Sequence, residues 1–78
     1  MDKQQIIARA NRAKLLLEDE TLLEAFAEVE SDIYLEWRTS SIGDDAARSD
    51  LFHTLKGLER LKARLQAILE AGVIAARN

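Results

Sequence analysis

The sequence contains no cysteine and no proline, only three glycines and four aromatic residues among its 78 positions. Without cysteine there is no disulfide staple and no thiolate metal site or nucleophile. Without proline nothing breaks a helix from within, and few β-branched or aromatic residues are present to favour strands. No apolar run approaches the roughly 20 residues that span a bilayer. The N-terminal stretch lacks the basic-then-apolar plan of a signal peptide, so a cytoplasmic protein is expected.

What is present is a composition of strong helix formers, with Ala, Leu, Glu, Arg and Lys dominant. The chain reads as one all-α domain over residues 1–78. A domain this short buries a modest share of its surface, and self-association is an ordinary remedy, so a homo-oligomer is expected.

The hydrophobic period divides the chain into three helices. Ile6, Ala10, Ala13 and Leu17 share one face of a first helix over 3–17, with Asp2 as its cap. The acidic run at 18–20 interrupts the pattern. Thr21 with Glu24 has the form of a capping box and opens a second helix over 22–38, whose seam is Leu22, Phe26, Val29, Ile33 and Trp37, widened by Leu23, Ala27 and Tyr34. Residues 39–44 form the linker, with Asp44 or Asp45 as the cap of a third helix over 45–71. That helix carries Leu51, Leu55, Leu58, Leu61, Leu65 and Ile68, the last four at heptad spacing. Gly72 reads as its C-cap, and Gly57, mid-helix, as the place of a close helix crossing. The architecture expected is a helical hairpin of two long arms with a short N-terminal helix, probing its partners through Trp37 and the leucine seam. Trp37 also fits a role as the cap of the core.

Charge is sorted by helix. Residues 18–36 hold eight acids and no base. Among them Glu20, Glu24, Glu28, Asp32 and Glu36 recur every four residues, an arrangement that repels itself on an isolated helix. Lys56, Arg60 and Arg64 repeat at the same spacing. Three compensations are open: pairing of the two ladders within the chain, pairing between subunits, or a foreign basic partner for the acids. The basic residues of helix three also admit DNA or RNA, although no helix-turn-helix glycine pattern or aromatic stacking platform accompanies them.

Little else points to chemistry. Asp50 and His53 lie at i and i+3, the spacing of the Glu-x-x-His element of di-iron proteins, and Glu28 or Asp32 of another subunit would complete a ferritin-like site. The sequence has Asp where that element has Glu. No Gly-rich phosphate loop or H-E-x-x-H is present, and the serines have no paired histidine. The chain is read as a non-enzyme with no cofactor and no assigned metal ligand.

Asn11-Arg12-Ala13-Lys14 followed by Leu15-Leu16-Leu17, the acidic helix ending in Glu36-Trp37-Arg38, the short acidic linker, and Leu55 through Leu69 leading to Ala71-Gly72 together resemble small uncharacterised helical proteins of tailed bacteriophages and prophages. The resemblance covers most of the chain. It implies a place among head and DNA-packaging functions, with phage structural or packaging proteins as partners, and assigns no functional residue. The function expected is therefore an oligomeric assembly or packaging accessory factor. A nucleic-acid-binding packaging or regulatory subunit and a ferritin-like metal-binding oligomer are the alternatives.

Overall fold

A computed structural model describes residues 1–77. It holds three helices, α1 (Lys3–Glu18), α2 (Glu20–Thr39) and α3 (Asp45–Arg77), and no strand among the described residues. α3, with 33 residues, is about 50 Å long. It sets the length of the whole molecule, whose longest extent is 54 Å.

Each helix start is fixed by an aspartate. The Asp2 carboxylate accepts from the Gln5 N–H at 2.8 Å while the Gln5 side chain accepts from the Asp2 N–H at 2.9 Å, a reciprocal capping box. Asp44 Oδ1 accepts from the Ala47 N–H at 3.1 Å. At α2 the cap is Asp19, whose Oδ1 accepts from the Leu22 N–H at 2.8 Å, and not Thr21 as the sequence pattern suggested. Asp19 is extended (φ −71°, ψ 118°) and its N–H also donates to the Leu16 carbonyl at 3.2 Å. One residue thus ends α1 and starts α2, and the acidic run contains a single-residue break. The 40–44 linker turns at Gly43, whose φ of +87° lies in the left-handed region that only glycine adopts without strain.

α2 and α3 meet in opposite sense. Glu30 pairs with Lys62 and Trp37 with Arg48, so contacts descend α3 as they ascend α2. Phe26 and Ile33 are the buried side chains of α2. The linker end is pinned by a short relay, in which Arg48 Nε donates to Ser40 Oγ at 3.1 Å and Ser40 Oγ donates to the Trp37 carbonyl at 2.6 Å.

α1 packs chiefly on α3. Its buried residues are Ala10 and Ala13, and on α3 the buried residue is Gly72. A Cβ added at Gly72 would overlap the Ala10 Cβ, and would stand 3.5 Å from both the Ala10 Cα and the Ile6 carbonyl oxygen. Two glycine readings are corrected by this contact. Gly72 is not a C-cap: α3 continues past it to Arg77, because the small residue faces α1 inside the helix. Gly57 marks no crossing, since a Cβ there would meet nothing within 4 Å.

The two glycines should therefore respond oppositely to alanine. Gly57→Ala removes a helix-interior glycine in open space and is expected to raise unfolding free energy by about 1 kcal/mol. Gly72→Ala forces α1 away from α3 and is expected to lower it by about 1–3 kcal/mol. Urea denaturation followed by circular dichroism measures both.

Candidate protein-interaction surfaces

The core is small for the amount of apolar side chain in the sequence. Among the described residues only Ala10, Ala13, Phe26 and Ile33 are buried apolar residues, while thirteen large ones are exposed. The accessible surface is 6013 Å². A compact monomer of this mass exposes about 4,800 Å², so the chain carries about 1,200 Å² more than its size requires. This excess follows from the shape: two helices laid along a 50 Å rod leave the rod's far side uncovered.

Part of the exposed apolar surface is concave. Ile33, Tyr34 and Trp37 of α2 and Leu51, Phe52 and Leu55 of α3 line a groove of about 240 Å³ beside the linker. It holds three of the four aromatic residues of the chain. Tyr34 is 60% exposed, Phe52 51% and Trp37 45%. The rim is cationic. The Arg48 guanidinium stands 5.3 Å from the Trp37 ring centre, and Lys56 Nζ 5.5 Å from that of Phe52, each positioned for attraction by the ring face. His53 meets Phe52 edge-on, with ring centres 5.6 Å apart. Trp37 thus lies at the margin of the α2–α3 contact, partly packed and partly exposed. The aromatic groove itself escaped the sequence reading, because Phe52 falls outside the leucine period of α3 and only the pairing of α2 with α3 brings it beside Tyr34.

The leucine seam serves the fold before anything else. Leu51, Leu55, Leu58, Leu65 and Ile68 are half-buried within the chain, and Leu61 alone of the six is exposed, at 51%.

Most ladder residues lie on outer faces, whereas Glu36, carried about 160° around α2 from Glu20 by the roughly 40° drift of each four-residue step, borders a concavity between α2 and α3. Glu20, Glu24, Glu28, Asp32 and Glu36 are all exposed, as are Lys56, Arg60 and Arg64. Glu24 and Glu28 lie two residues either side of the buried Phe26, about 160° around α2 from it. Lys56 and Arg60 lie likewise either side of Leu58 on α3. The ladders consequently point away from each other, and the pairing within the chain does not form. The ion pair between α2 and α3 uses residues off both ladders, Lys62 Nζ to Glu30 Oε1 at 3.0 Å, with Lys62 also 5.6 Å from the Phe26 ring centre. Lys56 pairs with Glu59 of its own helix at 3.2 Å. Being partly exposed, such pairs contribute about 1 kcal/mol or less.

Asp50 and His53 are exposed on α3. Asp50 borders an open, hydroxyl-rich concavity with Glu36, Ser40 and Thr54. Among the described residues no group of three His, Asp or Glu side chains is gathered to hold a metal ion. No helix of the described residues is long and apolar enough to cross a membrane.

Comparison with protein-family models, curated proteins and solved structures gives no match to this chain.

If the groove is surface and not core, its rings contribute little to the isolated chain. Tyr34→Ser and Phe52→Ser are expected to change unfolding free energy by about 1 kcal/mol or less, against about 2–5 kcal/mol for Ile33→Ala. Equal losses in urea melts of the three variants at low protein concentration would place Tyr34 and Phe52 in the core instead.

Proposed function

We propose that the protein is a non-enzymatic interaction protein that works as an oligomer. The observation that carries this reading is the mismatch between four buried apolar side chains and thirteen large exposed ones. A chain with so little core leaves its remaining apolar surface to be covered by association. The surface in excess of a compact monomer, about 1,200 Å², exceeds the roughly 800 Å² per partner of a standard stable interface. The working unit in this reading is a helical hairpin of α2 and α3, with the short α1 laid on the far end of α3.

The resemblance to small phage and prophage proteins supplies the setting: an accessory factor of virion assembly or genome packaging, acting in the host cytoplasm and bound to structural or packaging proteins. The aromatic groove suits such a role. It offers rigid rings in a concave apolar site with cations at the rim, the composition of an anchor point for an apolar, acidic helix or peptide.

Sedimentation velocity of the purified protein over a wide concentration range tests the central claim. A defined oligomer whose mass exceeds the 8.8 kDa chain by an integer factor is expected. A monomer persisting at the highest concentration would sink the reading. Leu58→Asp and Leu65→Asp would damage the fold itself, both being half-buried, so Leu61→Asp is the seam variant that reports on association, and it is expected to weaken the oligomer while leaving helix content intact.

A further inference from the structure

We infer that copies of the chain join through their ladders, the acidic outer face of α2 on one copy docking on the basic outer face of α3 and α1 on the next. This deepens the proposed self-association and rests on it.

Three observations converge on a second copy as the occupant. The first is charge. The five acids of the α2 ladder have no basic partner within the described chain, and Arg60 and Arg64 have no acidic one. Each row repels itself along its own helix and is relieved by the other.

The second is extent. On the outer face of α2, Glu24 to Asp32 runs about 12 Å, and Lys56 to Arg64 covers the same length on α3. The tertiary structure lengthens the basic side. Arg9 of α1 and Arg64 of α3 border the same depression, together with Ile6 and Ala67, and Arg12 continues the row on α1. Lys56, Arg60, Arg64, Arg9 and Arg12 thus form one basic surface that neither helix has alone.

The third is shape. Leu35 projects from the acidic face at 56% exposure, beside Asp32 and Arg38. On the basic face Ala63 and Ala67 are exposed between the long cations. An apolar knob ringed by acids therefore faces a shallow apolar strip flanked by bases, and the small alanines let the helices approach.

The two faces lie on opposite sides of the molecule, which decides the symmetry. A two-fold dimer uses one patch against itself, and here that would set acids against acids or bases against bases. Joining unlike faces is heterologous, and each copy is left with one free face of each kind. The assembly grows until a ring closes, or continues as an open chain.

Charge reversal tests this. Two triple variants, K56E/R60E/R64E and E24K/E28K/D32K, change only exposed side chains, and circular dichroism verifies that each keeps its helices. By sedimentation velocity at low salt, each variant alone is expected to be monomeric where the wild type is assembled. An equimolar mixture is expected to assemble again, the two variants alternating in an open chain or an even-membered ring, because both unlike contacts exist between them. Should a reversal unfold the chain, the glutamine variant K56Q/R60Q/R64Q is the substitute, with an expected weakening of at least about tenfold and no recovery on mixing. Either triple variant assembling like the wild type, or a folded mixture that stays monomeric, overturns the ladder contact but leaves self-association through apolar surface standing. A wild type that is monomeric throughout overturns both. A short DNA duplex added at low salt is the remaining arm: duplex binding abolished in K56E/R60E/R64E while that variant still assembles assigns the basic surface to nucleic acid and overturns the inference.

Discussion

The close approach of Ala10 to Gly72 is the contact on which the rest of the molecule depends. α1 buries only small side chains fully, Ala10 and Ala13, with Ile6, Ile7 and Leu17 half-buried around them while Leu15 and Leu16 are exposed. With no side chain at Gly72, the Ala10 methyl group reaches the α3 backbone, and this close approach lets many weak dispersion contacts form at once. Ala10, one of the four buried apolar residues among the described residues, is packed in this contact. The contact also brings Arg9 beside Arg64, and so creates a basic surface that spans two helices.

The α2–α3 contact is organised differently. Here large side chains, Phe26 and Ile33 against the leucines of α3, fix the separation, and polar groups mark its ends. The Arg48–Ser40–Trp37 relay holds the linker end, and Lys62 with Glu30 bridges the middle. The wider spacing leaves the margin of the contact open, and the aromatic groove lies in that margin. The fold thus has one tight contact made by small residues and one looser contact made by large ones. The groove belongs to the second.

A thin core and sorted charges have the same consequence. Both leave the isolated chain with surface that water solvates poorly or that repels itself, and both are relieved by a neighbour.

The sequence by itself determined the local structure: three helices, their order, the linker and the sorting of charge, because helix propensity, capping and a 3.6-residue period are properties of neighbouring residues. Asp2 and Asp44 were legible as caps for the same reason. Asp19 was less so, since Thr21 and Glu24 offer a competing box two residues on, and only the sharp one-residue break between α1 and α2 favours the aspartate. Tertiary structure decided everything that depends on which faces meet. The two glycines look alike along the chain, yet Gly72 is required and Gly57 is incidental, because only the path of α1 brings another backbone near one of them. The ladders share a spacing that fits pairing within the chain, but their angular positions relative to Phe26 and Leu58 turn them outward. A repeat states which residues share a face, and the packing of the larger apolar side chains settles where that face points.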